Sequence, residues 1–219
     1  MVRCKGVLFD MDGILISSLG SVERSWTKWA SLRDVDPARA LSIAHGRRAI
    51  ETVADLRPDL DAAAELRFIE DIEMKDGEGL SALPGVLDLL ASLPGDRWTV
   101  VTSATDRLAR VRLAMAGLPV PDRLITGDSV AQGKPDPAPY VAGAALLGFA
   151  PAECIVFEDS PSGVRSGHAA GCTVIATTFS HPAEELAVAN YFVADLCAVK
   201  AEMDSSREAL VLRFTPAIV

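Results

Sequence analysis

Four short apolar runs stand out along the chain: residues 6–9 (Gly-Val-Leu-Phe), 98–102 (Trp-Thr-Val-Val-Thr), 154–157 (Cys-Ile-Val-Phe) and 173–176 (Thr-Val-Ile-Ala). None contains a charged residue. A strand exposed on one face alternates apolar and polar positions, so unbroken runs predict strands covered on both faces. Apart from the first, the runs are separated by segments of helical period, such as Leu108, Val111 and Met115 at i, i+3 and i+7 after a start at Ser103-Ala-Thr-Asp. Strand-helix alternation of this kind predicts an α/β fold, a doubly wound parallel sheet of Rossmann-like form with helices on both faces.

The first strand breaks the rhythm, because no comparable run follows Phe9 until Trp98. The intervening chain has helical period instead. Residues 18–32, the stretch around 49–56, and 61–72, with apolar residues at 66, 69 and 72, are three expected helices, punctuated by Pro37, Pro58 and glycines 46, 77 and 79. A small all-α domain inserted after the first strand is therefore expected over residues 17–82, above that strand's carboxyl end. Residues 1–16 and 83–219 form the core. The chain re-enters it at the Pro84-Gly85 turn and a helix over 86–93; in the tail, residues 210–214 suit an edge strand.

Composition narrows the class without naming a function. The 219 residues, 49% apolar and 23% charged, suffice for a real core, removing roughly 70% of the unfolded surface from water, without disulfides or a structural metal. No apolar run approaches a transmembrane span, and the first residues lead into a strand rather than a signal-peptide core, so a soluble, cytoplasmic protein is expected. Cys4, Cys154, Cys172 and Cys197 form no CxxC pair and read as reduced thiols, while His45, His168 and His181 lack ligand spacing, which disfavours zinc. Thirty acids against 21 bases give a net charge of −9, which argues against nucleic acid or an anionic membrane as partner.

Chemistry-bearing residues cluster around the predicted sheet. Asp10-Met-Asp12-Gly13 follows the first strand directly, where open α/β sheets place their ligands. In extended chain residues i and i+2 point the same way, so two carboxylates share one volume and call for a cation or a raised pKa; acids in a solvated turn are the plainer alternative. Thr102-Ser103 closes the second run, offering a hydroxyl and a helix N-terminus suited to phosphate. Gly133-Lys134-Pro135 supplies a cation on a stiff loop, and Glu158-Asp159 closes the third run before Ser160-Pro-Ser-Gly163. Singly each piece reads as solvated surface or capping; together they describe a site. Carboxylates from two strand ends suit Mg²⁺, which takes oxygen ligands and keeps substrate phosphate in its shell. One acid can then attack phosphorus while a second moves protons.

In these four segments, taken in order, the sequence resembles the haloacid dehalogenase-like phosphohydrolases. The resemblance implies that Asp10 is the nucleophile, forming an aspartyl phosphate, and Asp12 the general acid and base. It implies that Asp10, Asp12 through its main-chain carbonyl, Glu158 and Asp159 hold Mg²⁺, that Ser103, Ala104 and Lys134 bind the phosphoryl group, and that the helical insert is a cap. In His45-Gly-Arg-Arg48, residues 98–105, residues 133–140 and residues 156–172 the chain is most similar to the glycerol-phosphate and 2-deoxyglucose-6-phosphate (sugar and polyol) phosphatases. Arg47 and Arg48 are then candidates for the substrate's distal oxygens, with surface pairing to Glu51 as the alternative. Trp26 and Trp29 are expected to pack within the cap.

Two positions depart from the family pattern: Ile14 stands where Thr is usual, reducing support for the loop, and Ser17 where Asp is frequent. The expected function is hydrolysis of a small phosphorylated metabolite by a monomer. A β-phosphoglucomutase-like transfer between sugar hydroxyls, a metal-free dehalogenase, a phosphoacceptor module and a silent binding protein are the alternatives. The negative charge does not exclude a phosphate ester, because several acids converge where a cation inverts the local sign.

Overall fold

The computed structural model describes residues 1–44 and 46–217. From the amino terminus run β1 (Val2–Cys4), β2 (Gly6–Phe9) and β3 (Ile16–Ser17), then α1 (Leu19–Leu32), α2 (Pro37–Ala44), α3 (Ala49–Leu56) and α4 (Ala62–Glu73). Next come β4 (Ser81–Ala82), α5 (Val86–Ser92), β5 (Trp98–Val100), α6 (Asp106–Met115) and α7 (Ala138–Leu147). β6 (Cys154–Glu158), α8 (Pro161–Ala169), β7 (Thr173–Thr177), β8 (Tyr191–Val193), β9 (Lys200–Met203) and β10 (Leu210–Arg213) complete the chain.

The expected parallel sheet has the order β5-β2-β6-β7-β8, with Val7 in register with both Trp98 and Ile155. Strands β5, β2, β6 and β7 are buried on both faces because alternate residues feed two cores, whereas β8, at the edge, is partly exposed. Val7, Phe9, Val100, Ile155 and Phe157 pack with Val86, Leu89, Ala109 and Leu113 on one side. Leu8, Val101, Val156 and Val174 pack with Tyr140, Ala144 and Val164 on the other. The chain crosses from β5 over β2 to β6, so β2 lies where successive connections diverge, and its carboxyl end opens into the crevice typical of ligand sites.

Three sequence expectations change. Residues 210–214 were expected at an edge, yet β10 is the middle strand of a separate antiparallel sheet, β1-β10-β9, with Leu210 and Leu212 joined to the core. The expected helix over Leu108, Val111 and Met115 is present, but of those three residues only Leu108 is buried. α6 starts at Asp106, capped by Thr105, and buries Leu108, Ala109, Arg112 and Leu113, leaving Met115 46% exposed. Pro37, read as a break, instead opens α2, since proline's fixed φ suits a first helical turn.

The helical stretch leaves and rejoins the sheet through a two-stranded ribbon, β3 with β4, in which Ile16 faces Ala82 and Ser17 faces Ser81. It has its own core of Trp26, Trp29, Ala30, Ala40, Ala44, Val53 and Ile69. The two indoles meet edge to face at 5.4 Å, and Trp29 Nε1 donates to Glu65, which Arg33 also grips. Among the described residues no helix is long and apolar enough to cross a membrane, and the four cysteines are free thiols.

Candidate active site

Asp10 is the first residue beyond β2, its amide tied to the Phe157 carbonyl at 3.0 Å. The buried Lys134 reaches it from a loop that follows no strand, between the bridge at Ile125 and α7. Lys134 Nζ donates to Asp10 Oδ1 at 2.5 Å, Glu158 Oε1 at 2.7 Å and the Val101 carbonyl at 3.0 Å. An ammonium has three N–H groups, so all are spent. Burial opposes the lysine's charge, but Asp10 and Glu158 outweigh it and raise its pKa.

Glu158 is saturated too. Its Oε1 also accepts from Tyr140 Oη at 2.8 Å, and its Oε2 accepts from the amides of Asp159 and Ser160 and the Ser160 hydroxyl. Despite full burial, the Lys134 ammonium foremost, then the Ser160 amide and the Tyr140 hydroxyl, hold its pKa below the usual value. Asp10 shows the opposite: desolvation and the neighbouring Glu158 carboxylate outweigh Lys134 and push it up to about 7. Asp159 is raised well above its ordinary value by burial, Glu158 and Asp10.

Oxygens of Asp10, Glu158 and Asp159 lie within 4.8 Å of one another, all buried. Three clustered carboxylates facing one ammonium, two of them with pKa values driven upward, form a donor set that fits a hard divalent cation. Glu158 must release a donor to ligate one. Gly13 makes the approach possible: its φ is +83°, and a Cβ there would lie 1.8 Å from Asp159 Oδ2. Ile14 turns into the core rather than the site, and the loop is closed by main-chain bonds from Gly13 to Ile16 and from Leu15 to Met11.

Asp12 Oδ1 accepts from Ser18 Oγ at 2.5 Å and from Arg112 Nη1 at 2.8 Å, with its side chain 31% exposed. Ser103 Oγ donates to the Gly46 carbonyl at 3.0 Å. The helix amides expected to be open at this end are engaged by side chains: Ala104 N by Thr102 Oγ1, Asp106 N by Asp128 and Leu108 N by the Thr105 cap.

A cavity of about 90 Å³ joins these groups beneath the insert, lined by Asp10, Asp12, Ser103, Asp159, Arg47 and Arg112 among others. Arg47 faces it while pairing with Asp55 at 2.9 Å. Arg48 is placed elsewhere: it pairs with Glu51 and donates to the carbonyls of Gly127, Val130 and Ala131, pinning insert to core beside a neighbouring cavity. Trp26 packs in the insert and also lines the site. His45 lies outside the described residues.

Sequence reasoning missed Arg112, Glu73, Ser18 and Tyr140. Only Arg112 carried a usable signal: of the arginines on α6 it alone stands at i+4 and i+3 from the buried Leu108 and Ala109.

An acidic cluster at the carboxyl end of a parallel strand, with a buried lysine on the first acid and a helical insert above, is a site built for hydrolytic group transfer. The chain belongs to the haloacid dehalogenase-like hydrolases, whose family model matches residues 4–171. It is 47% identical to hexitol phosphatase A of Escherichia coli (strain K12) over 180 residues, 80% of this chain and 83% of that one. It is 33% identical to glycerol-1-phosphate phosphohydrolase 2 of Saccharomyces cerevisiae over 192 residues, 81% and 77% of the two chains. In fold it is similar to a hydrolase from Pseudomonas syringae, with TM-score 0.79 and 22% identity over 88% of this chain and 94% of that one.

Proposed function

We propose that this protein is a Mg²⁺-dependent phosphatase of small sugar or polyol phosphate monoesters that works through an aspartyl phosphate on Asp10. The observation that carries the reading is the Asp10 carboxylate, fixed at 2.5 Å by the buried Lys134 beside Asp159. Relatives named as hexitol, glycerol-1-phosphate and 2-deoxyglucose-6-phosphate phosphatases support the substrate class. Residues 17–82 serve as the cap and residues 1–16 and 83–219 as the core.

Asp10, Asp159 and the Asp12 main-chain carbonyl would hold Mg²⁺, with Glu158 behind them anchoring Lys134. The cation supplies neutralisation of the phosphoryl oxygens. Asp10 attacks phosphorus, and the bond from phosphorus to the ester oxygen breaks. Asp12 gives that oxygen a proton; it then takes one from the water that attacks phosphorus, releasing phosphate and restoring Asp10. Both side-chain contacts to Asp12 among the described residues fall on Oδ1, which leaves Oδ2 as the oxygen to exchange the proton with substrate and water.

Lys134, with every N–H committed, acts by orienting Asp10 and by its charge. Ser103 must exchange the Gly46 carbonyl for a phosphoryl oxygen, and the Ala104 amide must leave Thr102 to join it. Arg47 is the cap cation that meets distal oxygens of the substrate.

Phosphate release from a panel of hexitol, glycerol and deoxyhexose phosphates tests the reading. Release should need Mg²⁺ and vanish in Asp10→Asn. Conversion of β-glucose 1-phosphate to glucose 6-phosphate without net phosphate would assign the mutase chemistry instead.

A further inference from the structure

Arg112 and Glu73 form a charged wall of the cavity, of which the phosphoryl chemistry uses only the one Arg112 contact to Asp12. Arg112, on α6, is buried; its Nη1 serves Asp12, while its Nε and Nη2 have no hydrogen-bond acceptor among the described residues. Glu73, the last residue of α4, is equally buried. Its carboxylate stands 3.3 Å from Arg112 Nη2 and has no other partner among the described residues. Both side chains line the cavity that contains Asp10.

The wall thus holds an ion pair at 3.3 Å that makes no hydrogen bond, with two buried guanidinium nitrogens unsatisfied, an arrangement protein interiors avoid unless a ligand or water completes it. A hydroxyl group completes both, because it accepts from Arg112 and donates to Glu73. A carboxylate or second phosphate only accepts, and it would stand against Glu73 and Asp12. An apolar tail completes neither. We propose that Glu73 and Arg112 together read a hydroxyl of the substrate's leaving group, so that the site selects neutral, hydroxylated phosphate esters and turns away those with a second anion. The assignment rests on the phosphatase reading and names the residues that give it a substrate class. Glu73 brings the selecting contact from the cap; Arg112, through Asp12, also positions the proton-transfer group.

The test compares kcat/KM for glycerol 1-phosphate, n-propyl phosphate and 3-phosphoglycerate in the native enzyme, Glu73→Met and Glu73→Gln. Sites that hydrogen-bond a substrate hydroxyl discriminate strongly against the analogue lacking it, so the native enzyme should prefer glycerol 1-phosphate over n-propyl phosphate by about 100-fold or more. That ratio should fall at least tenfold in Glu73→Met, whatever happens to the absolute rates. Glu73→Gln keeps an acceptor and drops the charge, so it should retain the hydroxyl preference and gain relative activity on 3-phosphoglycerate. A merely structural Glu73 would slow all three substrates alike and leave the ratios unchanged, which would overturn the inference. So would a native enzyme indifferent to the hydroxyls, a result that needs no variant to fold. Absence of phosphate release even from p-nitrophenyl phosphate would instead remove the phosphatase reading, and this inference with it.

Discussion

Burial and neighbouring charge act on Asp10 in opposite directions, and the balance can be moved. With its pKa raised to about 7, Asp10, the proposed nucleophile, is largely protonated in mildly acidic solution until a cation occupies the cluster. A nearby divalent cation favours the charged carboxylate, so the acidic limb of the kcat/KM profile should move to lower pH as Mg²⁺ increases. A limb fixed at all Mg²⁺ concentrations would contradict this. Glu73 gives a second, separate signature. Its folded pKa is raised to about 7, chiefly by desolvation, so between its ordinary value and 7 the folded state binds the extra proton and stability falls as pH rises. The loss amounts to about 3 kcal/mol at most. Melting curves at pH 5 and pH 8 should therefore differ less in Glu73→Gln than in the native protein. Asp10, Glu158 and Asp159 were legible in the sequence because each sits where an apolar run ends, and a strand end is a local property. Arg112 was legible only in part, through its spacing from Leu108 and Ala109, and Glu73 was not, because where α4 stops and what it then meets are fixed by no local pattern.

At the scale of elements, the insert is held over the sheet by a few contacts of known kind. The Gly46 carbonyl accepts from both Ser103 and Ser162, Arg48 grips three carbonyls of the 127–131 loop, and Thr105 meets Glu70. Gly46 has φ +73°, and a Cβ would lie 2.5 Å from Ser160 Oγ and 2.6 Å from Ser162 Oγ. Gly46→Ala should therefore unseat the insert locally, with a left-handed backbone cost of about 1–2 kcal/mol. We expect kcat/KM to fall at least tenfold while circular dichroism stays native; unchanged kinetics would show that this contact does not govern closure. The ribbon β3-β4 and the helix opened by Pro37 were hard to see beforehand. Two-residue strands carry no periodic signal, and proline reads as a breaker unless the first-turn position is recognised. Four of the five parallel strands were legible because they are buried on both faces and so lack polar interruptions; β8, partly exposed at the edge, was not.

For the whole molecule, a net charge of −9 coexists with a site proposed to bind phosphate esters. Local geometry resolves the tension: Asp10, Glu158 and Asp159 converge within 4.8 Å, so their repulsion would be relieved by a bound cation. Mg²⁺ should then raise Tm, by an amount equivalent to about 2.7 kcal/mol at a hundredfold excess over Kd, and a chelator should reverse it. Asp159→Asn should melt higher than the native protein without metal, because one repelling charge is gone, and should respond little to Mg²⁺. A variant that still gains the full Mg²⁺ shift would place the ion elsewhere.

The central claim is covalent chemistry at Asp10, and phosphoenzyme trapping reaches it most directly. Asp12→Ala, deprived of the group proposed to activate water, should be mixed with radiolabelled acetyl phosphate, whose carboxylate leaving group needs no general acid, and Mg²⁺, and quenched in acid. The account predicts stoichiometric label that hydroxylamine removes, with borohydride reduction converting residue 10 to homoserine. Label at any other residue, or turnover in the native enzyme with no label in the variant, would contradict it.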